Sequence, residues 1–305
     1  MSDNTNGLFG VIPVNKPSGW TSFDVVAKLR GILKIRRIGH SGTLDPMATG
    51  VLPVFLGKAT KACDMVKADG KEYLAGFRLG ITTDTQDITG EVLSRSGRNV
   101  ALSELEKTAE RFVGEIMQIP PMYSAVKVGG KKLYELAREG KTIEREAKKR
   151  FVDFIKIEDY NEQTREGKMS FSVSKGTYIR TLINDIGEAL QCGGVMTSLV
   201  RTRAGGFDLP QCVTVDEIAA LAESGEIESV IKPLSEMFSS LEKVTLGNRE
   251  TSLYKNGVKL RISQTGTKIP QGGKSYAVFG CEGEFLGIAA ADLEKNEFKS
   301  IKNFY

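Results

Sequence analysis

The chain has 305 residues, 40% of them hydrophobic and 26% charged, with 42 Lys and Arg against 38 Asp and Glu for a net charge of +4. That composition supports one large domain plus a small one, each with its own core, and excludes disorder away from the ends. No apolar run approaches the roughly 20 residues of a membrane helix, and Met1 to Gly7 is polar, so a cytoplasmic protein with no membrane partner is expected. Four scattered cysteines, Cys63, Cys192, Cys212 and Cys281, and one histidine match no zinc-ligand spacing, so neither a disulfide framework nor a metal site is expected.

Leu8 to Val14 reads as a strand, and Thr21 or Ser22 can cap a helix whose apolar face is Val25, Val26, Leu29, Ile32 and Leu33. Val51 to Leu56 reads as a buried strand, followed by a short helix near Ala59 to Val66. Tyr73, Ala75, Phe77 and Leu79 alternate along another strand, which leads into a polar loop from Thr82 to Gly90. Ser103 with Glu106 forms a capping box for a helix through Phe112. Strands are expected at Ser124 to Val128, Phe151 to Ile157 and Met169 to Val173, and Ile179, Leu182, Ile183, Ile186 and Leu190 repeat at helical spacing. Thr214 and Glu217 begin another helix, and Ser224 to Ser240 reads as a connection. Beyond Val244 the texture changes to a short helix, Asn248 to Lys255, and short strands at Val258 to Ile262, Ser275 to Phe279 and Phe285 to Ala290. The mixture without strict alternation predicts an α+β fold around a largely antiparallel sheet.

The most informative run is Gly39 to Leu52, GHSGTLDPMATGVL, which sets Asp45 in a glycine-bounded loop ahead of an apolar strand. A Leu-Asp-Pro turn on its own is usually an Asx-type turn, but this setting makes Asp45 a candidate for chemistry. Arg180 falls in the first turn of its helix, where the dipole disfavours a cation, which predicts a carboxylate partner. The lone His40 makes a Ser-His-Asp hydrolase a poor fit, and Gly80 to Thr85 lacks the ending of a P-loop. Lys28, Arg30, Lys34, Arg36 and Arg37 lead into the Asp45 loop with no acid between them, as a phosphate backbone would require. A second basic run from Lys127 to Arg150 surrounds a Gly129-Gly130 turn and reads as a projecting element.

The Asp45 run closely resembles the catalytic-aspartate motif of the TruB family of tRNA pseudouridine synthases. Lys16-Pro17, Lys71-Glu72-Tyr73 and Ser174 to Leu182 resemble further motifs of that family in the same order, across most of residues 8 to 205. The resemblance implies a pseudouridine synthase fold with a mixed, largely antiparallel sheet over residues 8–240, carrying an RNA-binding insertion at about 123–150. Residues 244–305 resemble, more weakly, a small β-rich PUA-like RNA-binding domain. It implies isomerisation of uridine 55 in the T loop of tRNA, after the base is flipped into a pocket, by an intramolecular transferase needing no cofactor and no metal. By the same resemblance Asp45 is catalytic, Arg180 pairs with it, and Tyr73 stacks on the target base and helps to remove its C5 proton. His40 contacts the RNA and helps to open its loop, Leu199 lines the uracil pocket, and Lys16 and Tyr178 join the substrate-binding set, Lys16 through support of the site. The implied partner is the T arm and T loop of tRNA, and the implied state is a monomer. A non-catalytic tRNA-binding chaperone is the alternative. An aspartate-dependent hydrolase fits less well, because only one acid lies in a strong motif.

Overall fold

The structure, a computed structural model, describes residues 7–65, 70–124, 126–266 and 273–305. Its larger sheet has nine strands. The main path runs Gly10–Lys16, Thr49–Leu56, Gly194–Ala204, Lys71–Leu79, Glu166–Val173, Lys148–Asn161 and Gly114–Gln118, with Ile38–His40 and Phe207–Asp208 attached at the side. The pairings are antiparallel except where Val200 and Arg201 run parallel to Thr49 and Gly50. The predicted α+β class with a mixed, largely antiparallel sheet is therefore the observed one.

Tyr73, Ala75, Phe77 and Leu79 bury one face of their strand, as alternation requires, against the helix Ile179–Ala189. The helix Ser22–Leu33 packs Val25, Val26, Leu29 and Leu33 on the other half of the sheet, beside the helix Val215–Ser224. Thr21 is its cap, with Asp24 answering in a reciprocal box, and Thr214 with Glu217 does the same for the later helix.

Several elements differ from expectation for identifiable reasons. The central strand Gly194–Ala204 escapes sequence reading because register shifts at Met196/Ser198 and Arg201/Arg203 break its two-residue period. Ser103 is inside its helix rather than capping it. That helix runs Leu102–Glu110, and the Leu102 N–H is taken instead by Glu162 Oε1 at 2.8 Å, a partner sixty residues away. The loop at Thr82 begins as a strand, Ile81–Thr83, paired with Val92–Arg95. The expected strand at Ser124 to Val128 shrinks to Lys127–Val128 paired with Lys131–Lys132, and Ala125 lies outside the described residues. The expected helix after Leu56 is a 3-10 turn, Gly57–Ala62, and its predicted end at Val66 lies outside the described residues.

The C-terminal sheet has five strands, in the order Glu242–Thr245, Ser275–Phe279, Phe285–Asp292, Glu297–Asn303 and Leu260–Arg261. Val244, Tyr276, Leu286 and Phe298 give it a core of its own. A second cluster is shared with the large sheet: Phe55, Ala59 and Ala62 meet Phe238, Ile288 and Phe304. Phe285 lies 5.5 Å from Phe304 and 5.9 Å from Phe238 between ring centroids, and Lys302 pairs with Asp64 at 2.9 Å. The small module is thus fastened to the large one by a common apolar seam.

The parallel contact that follows the Asp45 loop depends on Gly50. Its φ is +99°, and a Cβ there would stand 2.2 Å from the Arg201 carbonyl oxygen. Gly50→Ala is expected to cost on the order of 2–4 kcal/mol, combining backbone strain with a clash against main chain, measurable by denaturant unfolding.

Candidate active site

The loop before Thr49 is pinned from behind. Ser22 Oγ accepts from the Leu44 N–H at 2.9 Å, Gly19 N–H donates to Pro46 O at 2.9 Å, and Ala48 N–H closes a turn on Asp45 O at 3.0 Å. Lys16 is fully buried, and its Nζ donates to the carbonyls of Pro17 at 2.8 Å, Trp20 at 2.5 Å and Pro46 at 3.2 Å. Those three acceptors use all three donors of an ammonium. Burial pulls Lys16 down to about 8, Arg201 adding to the fall, while Asp45 and Asp24 act upward. This lysine latches the loop and has no donor left for a substrate. Arg201, also fully buried, crosses underneath, with Nε on Val51 O at 2.7 Å and Nη2 on Gly42 O at 3.0 Å.

So held, Asp45 keeps its carboxylate about one-third exposed and out of any Asx turn among the described residues. Arg180 Nη2 is 3.3 Å from Asp45 Oδ2 and donates to Tyr123 O at 2.6 Å, while Nη1 is 3.7 Å from Asp87 Oδ2. The Arg180 side chain is only 6% exposed, so these acceptors replace water at its two Nη atoms, while Nε is buried without a hydrogen-bond partner. Its helix has no side-chain cap at Tyr178; Gln118 serves instead, accepting from Tyr178 N–H at 2.8 Å and donating to Tyr178 O at 3.1 Å.

Asp87 is the group that sequence reasoning missed. It is buried in the Thr82 to Gly90 loop, its Oδ1 accepting from Thr85 Oγ1 at 2.9 Å, Thr89 N–H at 3.0 Å and Thr89 Oγ1 at 2.6 Å. The available signal was a carboxylate flanked two residues away on each side by threonine. Burial raises the Asp45 carboxyl above its ordinary value, with Arg180 opposing, Asp87 adding to the rise, and Lys16 opposing more weakly.

Tyr73 and Leu199, 8% and 7% exposed, belong to the same packed cluster as Leu44, Ala48 and Ile179, which brings both to the Asp45 loop. Tyr178 is half-buried, with Arg180 Cζ 5.9 Å from its ring centre. His40 lies on the strand Ile38–His40; its Nδ1 is buried without a hydrogen-bond partner, and burial, then Arg201, lowers its pKa. The first basic run leaves Lys28, Lys34, Arg36 and Arg37 exposed beside the loop. The second begins just beyond Tyr123, so the carbonyl bound by Arg180 stands at the root of the projecting hairpin and its short helix Leu133–Arg138. Among the described residues there is no group of three or more His, Cys, Asp or Glu arranged to hold a metal ion. Nor is any helix among them long and apolar enough to cross a membrane.

Comparison with known proteins agrees at two levels. By shape, the chain aligns over its whole length with 88% of a chain from the crystal structure of a Cbf5-Nop10-Gar1 complex, at a TM-score of 0.76 and 28% identity. It aligns over 97% of its length with 85% of a chain from an H/ACA RNP bound to a substrate RNA containing 2'-deoxyuridine, at a TM-score of 0.74 and 26% identity. The fold is that of the pseudouridine synthases. By sequence, the model described as TruB family pseudouridylate synthase (N terminal domain) matches residues 30–179, and that described as tRNA pseudouridylate synthase B C-terminal domain matches 180–239. tRNA pseudouridine synthase B of Lachnoclostridium phytofermentans is 44% identical over 304 residues, covering 97% of this chain and 99% of that one. The protein of the same name from Lactococcus lactis subsp. lactis is 42% identical over 266 residues, covering 85% and 80%. The chain belongs to the TruB family of tRNA pseudouridine synthases.

The electrostatics give a signed prediction. Arg180→Met removes the main influence lowering Asp45 and is expected to raise its carboxyl pKa further. Asp87→Asn removes a like charge and should move it down. Carbon-13 NMR titration of the Asp45 carboxyl reads both, and equal or same-direction shifts would contradict the arrangement.

Proposed function

We propose that this enzyme converts uridine 55 in the T loop of tRNA to pseudouridine, with Asp45 as the carboxylate that acts while the glycosidic bond breaks and C5 rejoins the ribose. The observation that carries the reading is the state of Asp45. It is fixed in a pinned loop and held by a buried arginine, yet its carboxylate accepts no backbone N–H among the described residues and is open enough to meet a substrate. Arg180 orients it, and Tyr73 offers an aromatic face on which an extruded base can stack. Leu199 contributes an apolar wall, and Tyr178 lies against the arginine. His40, held neutral by burial, contacts the loop of the RNA.

The partner in this reading is the T arm, met by the first basic run and by the insertion at about 123–150. Residues 8–240 form the catalytic domain, and 244–305 a PUA-like domain that adds RNA contacts. The chain acts as a monomer. Relatives named tRNA pseudouridine synthase B over nearly the full length, and a structural neighbour bound to a substrate RNA, support the assignment. Because the apolar seam joins the two modules, removing residues from Val244 onward would expose Phe238 and Phe55. Surface substitutions such as Lys259→Glu are the sounder way to probe RNA binding by the C-terminal sheet.

The deciding experiment is tritium release from a T-arm transcript labelled at uridine C5, with a chelator present. Wild type should release tritium, and Asp45→Asn should bind the transcript without release. Binding with no release by wild type would favour the chaperone alternative. In the same assay Tyr73→Phe should retain more activity than Tyr73→Leu, and Arg180→Met should slow turnover about a hundredfold, the scale expected when a reacting group is displaced by about an ångström.

A further inference from the structure

Behind the Asp45 loop, on the sheet face that carries Tyr73, stands a group of cations with no acid among them. A point bonded to Gly42 Cα, where a Cβ would be, lies 2.8 Å from Lys71 Nζ and 3.3 Å from Arg201 Nη1, so the two cations converge on one place. Gly42 has a φ of +74° and lies three residues before Asp45. Arg201 is fully buried, and although Nε and Nη2 are bound to carbonyls, Nη1 is buried with no hydrogen-bond partner.

Lys71 makes no ion pair among the described residues, and the charged groups that act on it are Arg201 and Lys175, both of the same sign. Burial, then these two, brings Lys71 down to about 8. The nearby acids are committed elsewhere. Glu72 points to the other side of the strand and pairs with Arg203 at 3.4 Å, and Asp64, which feels Lys175, is held by Lys302 at 2.9 Å. Convergent, half-desolvated cations without a counterion are costly in a folded protein unless a ligand supplies the anion. The position favours a phosphate of the RNA substrate proposed above, since Lys71 is two residues along the strand from Tyr73 and Gly42 three along the loop from Asp45.

Resting on the RNA-modifying reading above, we propose that Lys71, with Lys175 beside it and Arg201 Nη1 beneath, binds a single phosphodiester of the RNA next to the flipped uridine. This anchor fixes the register of the strand, so that one nucleotide and not its neighbour is presented to Asp45. It is a point contact rather than part of the general basic surface, because one ammonium and one guanidinium N–H converge on a volume the size of an oxygen.

The test uses T-arm hairpins in which each linkage around the target uridine is replaced, one at a time, by a neutral methylphosphonate. It compares wild type with Lys71→Gln and Lys71→Arg. Lys71→Gln is expected to raise KM about tenfold, the weight of one charge-assisted hydrogen bond, with a smaller change in kcat. It should also lower the salt slope of binding by about 0.7–0.9. One linkage should show the same loss in wild type when neutralised and no added loss in Lys71→Gln, with Lys71→Arg restoring part of the sensitivity. If the two losses multiply at every linkage, or if Lys71→Gln reduces only kcat, the phosphate site is overturned. Wild-type turnover of the unmodified hairpin, measured alongside, tests the RNA-modifying reading separately. Thermal melting of Lys71→Gln should show no loss of stability, because the variant removes a partly buried charge; a lower Tm would make the lysine structural and also overturn the proposal.

Discussion

Burying one guanidinium imposes most of the order seen around Asp45. A charged side chain this far from water must have its hydrogen bonds and its counter-charge supplied by the protein. Arg180 obtains them from three separate pieces of chain: the carboxylate of the glycine-bounded loop, the carboxylate of the Thr82 to Gly90 loop, and the Tyr123 carbonyl at the root of the insertion. Two carboxylates close to one cation also repel each other, and each is held by further bonds: Asp87 accepts from its flanking threonines, and the Asp45 loop is fixed by donation from Lys16 to Pro46 O and from Leu44 N–H to Ser22 Oγ. The result is a carboxylate placed by constraints from many directions, the kind of preorganisation that the proposed chemistry requires.

The same requirement links catalysis to binding. Arg180 binds the carbonyl of the residue from which the insertion springs, so the root of the insertion and Asp45 share one anchor. At the other end of the molecule the C-terminal sheet shares a cluster of phenylalanines with the back of the large sheet. The two modules are therefore joined by packed side chains as well as by the chain between them. Each module has core residues of its own, and the shared cluster comes in addition to them.

Local signals in the sequence marked many of the elements correctly. The capping boxes at Thr21 and Thr214, the alternation from Tyr73 to Leu79 and the helical repeat from Ile179 to Leu190 are each decided by neighbours within a few residues. The elements that were missed depend on distant partners. Leu102 begins its helix because Glu162 supplies an acceptor, and Gly194–Ala204 becomes the central strand despite two bulges because strands lie on both sides of it.

For the site, the sequence by itself determined that Asp45 sits in a built loop, that Arg180 at a helix start needs an acid, and which family the motifs resemble. Each of these follows from residue type, backbone freedom or dipole direction over a short stretch. The folded chain alone settles which acids satisfy Arg180, brings Asp87 in as the second of them, and seats Lys16 as a latch on three carbonyls. It also brings Lys71 and Arg201 together at Gly42, with Lys175 near enough to act on Lys71. Burial and charge at such points are sums over segments far apart in the chain, and those sums do not exist until the sheet has formed.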